Sequence, residues 1–443
     1  MRERIIFQAD FDFDDPYQEE GDMKTWQAEL ARYAVGNSRL AFAMSAGFAG
    51  PLLHPTESES GGFHFRGGSS IGKTTVLQVA ASIWGNREFI RTWRATSNGM
   101  EGIAALHNDT LLLLDEMGQV DGREVGQIAY MIANGIGKTR ASRTGQARKA
   151  ARWRTIFLST GEVGLADKIA EDGRGRRAAA GQEVRIVDIP ADAGVGLGIF
   201  EELHGFPSAD AFARHLKVAS GRYYGRACHE FVQRLVNNYD CIAPTVEGYS
   251  KEFLAEAMPQ NADGQVSRVC ARFALAAAAG EMATAFGVLP WPAGEASKAA
   301  ARCFRDWLEA RGGVEPAEER EAISAVRRFI ELHGTSRFEP MGALIPTTGT
   351  GDPIDVRIPN RAGFRRMAEG EGGIEYLVLP EVWRSEVCAG MDPVRVAKTL
   401  AARGYLDTGE DGKLGKKSRL PGFTSPVRCY TISPGILGDG DHA

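Results

Sequence analysis

The sequence predicts an α/β protein built on a parallel sheet, followed by a helical region and a smaller mixed domain. Three observations carry this. A glycine-rich loop, Gly67 to Thr75, lies between a strand-like run and a helix-like run. Apolar runs suited to buried strands then alternate with amphipathic helices as far as Pro190. Beyond Gly198 the strand pattern stops, and helical spacing continues to His333 before short strands and turns return.

The loop GGSSIGKTT fits the P-loop pattern of Gly, four residues, Gly, Lys and Ser/Thr between Gly67 and Thr74. Its context is the one a phosphate site needs. GFHFR before it alternates as a strand does, and Val76, Val79, Ala80 and Ile83 after it share one helical face, with Gly85 as a stop. Glycines let backbone N–H groups turn inward toward phosphate oxygens, and the helix N-terminus adds partial positive charge. Gly67, Ser69, Ser70, Gly72, Lys73, Thr74 and Thr75 are therefore the candidate nucleotide contacts. Lys73 can reach the β- and γ-phosphates of ATP, and the Thr74 hydroxyl is placed to hold Mg²⁺.

Composition narrows the field. A chain of 443 residues has room for two or three domains. Its net charge of −5 excludes a basic nucleic-acid coat, so any DNA-binding surface must be local. The six cysteines form no Cys-x-x-Cys pair and are joined by no histidine cluster, which argues against zinc or a disulfide framework and for a reducing cytoplasm. No signal peptide opens the sequence. The most apolar stretch, ALAAAAGEMATAF, is broken by Glu281 and reads as a packed helix rather than a membrane span.

Taken in order, residues 1–60 form an acidic, solvated arm and then a helical segment from Thr25 to Ala46, with a linker over 57–62. Residues 61–198 form the core. Phe89–Trp93 reads as a strand and Asn98–Leu106 as a helix. Thr110–Leu114 is an uninterrupted apolar run ending in Asp115-Glu116, a Walker B pattern. Asp115 would hold Mg²⁺ through water and Glu116 would polarise the attacking water, at the carboxyl end of a strand where open α/β sheets bind ligands. A helix follows from Gly118 to Asn134.

Residues 137–154 carry seven basic residues and no acid, with Gly145 where a hairpin could turn. Lys138, Arg140, Arg143, Arg148 and Lys149 are candidate contacts to a nucleic-acid backbone; a solvated face or a subunit contact is the alternative. Thr155–Leu158 is the next strand and ends in Ser159-Thr160-Gly161-Glu162, which brings a hydroxyl beside Asp115. Thr160 is the candidate, and Ser159 serves as readily as a strand-end cap. Arg176 and Arg177 lie just before the last core strand, Val184–Ile189. With one P-loop per chain, one of these two or Arg174 beside them could complete a neighbouring subunit's site as an arginine finger, Arg177 foremost. Residues 199–335 read as a helical lid, and 336–443 as two helices followed by a two-stranded wing, a winged-helix order that could bind DNA or dock protein.

The runs FHFRGGSSIGKTTVLQVAASIWG, TLLLLDE, WRTIFLSTGE and AGQEVRIVDIPAD together resemble a bacterial family catalogued as domain of unknown function 927, over roughly residues 5 to 335. That family is similar to the AAA+ ATPases, among them superfamily 3 and minichromosome-maintenance helicases. The resemblance implies an AAA+-like P-loop ATPase core with a helical lid; the winged-helix-like reading of the C-terminal domain rests on its element order alone. It implies a hexameric ring that moves on single-stranded DNA during replication of a phage, plasmid or integrative element, with any primase a separate protein. It makes the basic stretch a pre-sensor-1 hairpin and Thr160 the sensor-1 residue, where the family's usual asparagine is missing. A non-translocating ATPase switch and a DNA-binding replication initiator stand as alternatives.

Overall fold

In the computed structural model the first strand after the N-terminal region, β1 (Gly61–Arg66), lies between two later ones. β2 (Ile90–Thr92), β3 (Thr110–Asp115), β4 (Thr155–Gly161) and β5 (Ile186–Pro190) complete a five-stranded, wholly parallel sheet in the order β2-β3-β4-β1-β5. The structure describes residues 15–138, 150–171, 184–350, 352, 354, 358–368, 372–409 and 412–438. The chain divides into two compact units, Met1–Val314 and Glu315–Ala443.

Parallel strands need crossovers, and helices supply them. In chain order the first unit holds α1 (Met23–Glu29), α2 (Ser38–Gly47), α3 (Lys73–Ala81), α4 (Ser97–Leu106), α5 (Gly122–Asn134) and α6 (Leu165–Ala170). The central strands are buried on both faces, so Leu111 to Leu114 are all fully enclosed, as their uninterrupted apolar run requires. Gly62 sits in β1 because the ring of Phe157 on β4 passes where a Cβ would be, 2.2 Å away. From Ala209 to Arg311 the chain is helical: α7 (Ala209–Ser220), α8 (Arg226–Asn237), α9 (Ile242–Ala257), α10 (Gly264–Ala285) and α11 (Glu295–Arg311). The alanine-rich α10 is enclosed in the core, and no helix among the described residues is long and apolar enough to cross a membrane.

Three sequence expectations are corrected here. Thr25–Ala46 is not one helix but α1, a 3₁₀ turn over Ala31–Ala34, and α2. The break falls at Gly36, with φ +78°, and at the buried Asn37. The Asn37 amide donates to the carbonyls of Tyr33 and Glu202, and its oxygen accepts from the amides of Glu201 and Glu202. The acidic arm is docked over residues 15–22 rather than free, although Asp15, Glu19, Glu20 and Asp22 stay exposed. Tyr17 packs edge-on against Trp84 and Phe89, Glu19 pairs with Arg226 at 3.2 Å, and Glu20 bridges to Tyr224. Finally, β4 runs on to Gly161, so Ser159 and Thr160 belong to the strand.

The second unit opens with α12 (Ala317–His333). Its sheet joins β6 (Phe338–Pro340), β7 (Gly363–Met367), β8 (Ile374–Val378), β9 (Leu406–Asp407), β10 (Lys416–Ser418) and β11 (Val427–Ile432). The order is β10-β11-β8-β7-β6, with β9 also on β11. A helical turn at Pro380–Val382 precedes α13 (Pro393–Ala402), where Asp392 caps the N-terminus by accepting from the Val394 and Arg395 amides.

Candidate nucleotide site

β1 ends at Arg66, and the chain must reverse over six residues before α3 begins at Lys73. Two left-handed residues make the reversal possible, Ser70 at φ +64° and Gly72 at φ +102°. Gly72 is needed for a second reason: a Cβ there would press into the Ile199 side chain at 2.8 Å. The Lys73 ammonium folds over the loop and donates to the carbonyls of Gly67 at 2.7 Å and Gly68 at 2.5 Å.

Parallel pairing brings the carboxylates to the same end. Leu114 of β3 stands opposite Ser159 of β4, so Asp115 and Thr160 emerge side by side. Thr160 Oγ1 donates to Asp115 Oδ1. On the other side, Asp115 Oδ2 lies 3.4 Å from Thr74 Oγ1 at the start of α3. Glu116 follows in a left-handed conformation, φ +62°, with its amide donating to Asp115 Oδ1 at 3.1 Å. A non-glycine residue held there costs on the order of 1–2 kcal/mol, a form of strain that gathers at functional sites. Glu116, Glu162 and the residues from Ser69 to Thr75 line one cleft of 660 Å³, inside the usual range of about 300–1,000 Å³ for small-ligand sites.

Ser159 and Thr160 part company because adjacent strand residues face opposite ways. Ser159 is fully buried and faces away from the cleft. Its Oγ accepts from the Trp93 indole at 2.7 Å and lies 2.9 Å from His64 Nδ1. His64 Nε2 stands 3.0 Å from the carbonyl of Val163, an acceptor only, so Nε2 carries the proton and Nδ1 accepts from Ser159. Burial pushes His64 down to about 4, which keeps the ring neutral in this role. The Trp93 amide also donates to the carbonyl of Asp115 at 3.2 Å. Trp93 thus ties the ends of β3 and β4 together beneath the Asp115–Thr160 pair.

The structure brings together Gly67, Ser69, Ser70, Gly72, Lys73, Thr74, Thr75, Asp115, Glu116 and Thr160. Lys138 is exposed where the basic stretch begins, just after α5. The Gly137 amide donates to the carbonyl of Ala151, and Ile136 bridges antiparallel to Arg152, so the two ends of that stretch run side by side. Arg140, Arg143, Arg148 and Lys149 lie outside the described residues, as do Arg174, Arg176 and Arg177. Arg154 leaves the set of seven basic residues: it holds Asp109 in an ion pair at 2.8 Å.

Sequence reasoning missed the far wall of the cleft. Gly196, Leu197, Gly198 and Phe200 line it after β5, with Ala209, Asp210, Ala213 and Lys217 of α7. The alternating glycines 194, 196 and 198, all at positive φ, were the one available signal.

The residues present fit a magnesium nucleotide. A lysine and a hydroxyl start a helix, a carboxylate faces that hydroxyl, and Thr75 Oγ1 is buried in the cleft wall with no hydrogen-bond partner among the described residues.

Residues 1–153 match the family model described as "Domain of unknown function (DUF927)". A solved structure described as "SCCmec type IV Cch - active helicase" has 20% sequence identity and a TM-score of 0.67, covering 95% of this chain and 72% of that one. The chain shares its fold with a helicase. At that identity the likeness speaks for architecture alone. No curated protein matches the chain.

Proposed function

We propose that the chain is an ATP-driven, ring-forming DNA helicase or translocase of a mobile genetic element. The observation that carries the reading is the convergence of Thr74, Asp115 and Thr160 beside Lys73, in a fold shared with a helicase. In this reading 61–198 is an AAA+-like core, 199–335 its lid and 336–443 a winged-helix-like domain.

The loop amides and Lys73 grip the phosphates of ATP. Thr74 and Asp115 are the residues that would hold Mg²⁺, which neutralises phosphate charge when bound. Thr160 fixes the Asp115 carboxylate, and Glu116 accepts the proton of the attacking water. Arg176 or Arg177 serves a neighbouring subunit's nucleotide in a hexamer, and Lys138, Arg140, Arg143, Arg148 and Lys149 contact single-stranded DNA. A primase would be a separate partner.

The test is ATP turnover with and without single-stranded DNA, together with strand displacement. The reading expects DNA-stimulated turnover and displacement. It expects Lys73→Ala to lose nucleotide binding and Glu116→Gln to bind ATP while barely turning it over. Turnover without DNA stimulation or displacement would leave a nucleotide-driven switch in its place.

A further inference from the structure

We propose that the base of the nucleotide lies in the slot between the Gly194–Gly198 turn and helix α7, held by its ring faces and not read along its edge. The inference rests on the nucleotide-binding reading above and adds where the rest of the ligand goes.

The cleft does not stop at the phosphate loop. It continues along α7, whose Ala209 and Ala213 are four residues apart and so share a face, with Lys217 one turn further on. From Ala209 to Lys217 the helix rises about 12 Å, the reach a nucleoside needs beyond its phosphates. Leu197 and Phe200 form the facing wall. Leu197, Ala209 and Ala213 are only partly buried, so apolar surface is open to a planar ring.

The turn is fastened to the phosphate loop itself. The Ile199 amide donates to the carbonyl of Ile71 at 3.0 Å, and the Ala193 amide donates to the carbonyl of Gly198 at 2.8 Å. Gly198, at φ +67°, lies so close that a Cβ would stand 2.5 Å from the Ile71 oxygen. One rigid piece therefore carries both the phosphate cradle and the apolar wall. Thr75, fully buried in the cleft wall, has a hydroxyl with no hydrogen-bond partner among the described residues, a polar group left over where the phosphate loop meets the helix.

The chemistry along α7 sets the selectivity. The charged side chains of that helix lining the slot are Asp210 near its start, which is held by Arg214 at 2.7 Å, and the exposed Lys217 about two turns on. Neither side chain is a fixed donor–acceptor pair aimed at a base edge. Burial of the ring faces then supplies the affinity, and adenine and guanine are held alike.

The experiment is equilibrium binding of ATP, GTP and inorganic tripolyphosphate to the full chain, to Ala213→Trp, which fills the slot, and to Leu197→Ala, which strips one wall. The wild type should bind ATP and GTP within about tenfold of each other, and tripolyphosphate more weakly. Ala213→Trp should weaken both nucleotides by at least about tenfold, with Leu197→Ala changing them in the same direction, while tripolyphosphate binding stays as it was. Nucleotide binding unchanged in both variants overturns the slot. So does a parallel loss of tripolyphosphate. A wild-type preference for one purine beyond about a hundredfold overturns the face-only recognition. If the wild type binds ATP and its Lys73→Ala variant does not, the nucleotide reading survives any of these failures; if the wild type binds neither ATP nor tripolyphosphate, both fall.

Discussion

Thr160 Oγ1 donates to Asp115 Oδ1 from the neighbouring parallel strand, while the same carboxylate faces Thr74 at 3.4 Å. Asp115 is therefore fixed from both sides, by a strand and by the helix that follows the phosphate loop. A hydrogen bond to a charged group contributes about 1.5–3 kcal/mol. Thr160→Val keeps the shape and removes the donor. It should slow ATP turnover roughly ten- to a hundredfold with nucleotide affinity little changed, and Thr160→Ser should recover most of the loss. Equal damage to binding and turnover in Thr160→Val would show that the bond organises the whole loop.

Assembly is testable through complementation. Arg177→Ala and Lys73→Ala subunits should each be inactive, yet a mixture should regain part of the ATPase, because an intact loop would then meet an intact finger from the next subunit. Turnover measured across mixing ratios, with mixed oligomers verified by mass, checks this. No recovery at any ratio assigns Arg177 to its own chain's surface.

The basic stretch makes a prediction about salt. Each phosphate contact on single-stranded DNA adds about −0.7 to the slope of log affinity against log salt. Lys138→Ala, Arg140→Ala and Arg143→Ala combined should flatten that slope by roughly two and abolish DNA stimulation. Basal turnover should survive, since none of the three belongs to the P-loop or Walker B segments. Loss of oligomer mass and basal turnover together, with an unchanged slope, would instead mark the stretch as a subunit contact.

Two buried histidines predict an acid-sensitive fold. Burial pushes both His64 and His107 down to about 4, from an ordinary value of 6.5. The unfolded chain therefore takes up protons first as pH falls. Their contribution to stability is complete above pH 6.5 and is lost toward pH 4, at about 1.4 kcal/mol per pH unit for each ring. Urea midpoints measured across that window should fall steadily, and His64→Asn should make the decline shallower. An unaltered slope in the variant would mean His64 protonates without opening the fold.

What the sequence made legible was local. The phosphate loop declares itself through spacing, and β3 through four leucines in a row. Long-range partners were hidden. The acidic arm docks because Tyr17 meets Trp84 and Phe89, distant in sequence, and α1 and α2 separate because Asn37 bonds backbone near residue 202. Ser159 and Thr160 offered two equivalent hydroxyls, and only the facing of β4 assigns one to Asp115 and the other to His64. The far wall of the cleft is written in alanines and glycines, residues whose value lies in the space they leave.

The bond from the Ile199 amide to the Ile71 carbonyl has a consequence for anyone dissecting this chain. A fragment ending at Pro190 would hold the full loop motif, Asp115 at the end of β3, Glu116 after it, and all five strands. It would still be missing the wall against which Gly72 packs, leaving the Ile71 carbonyl unsatisfied and the loop free to unravel. The shortest piece able to hold the loop in shape has to extend past Ile199, into the segment that leads to α7.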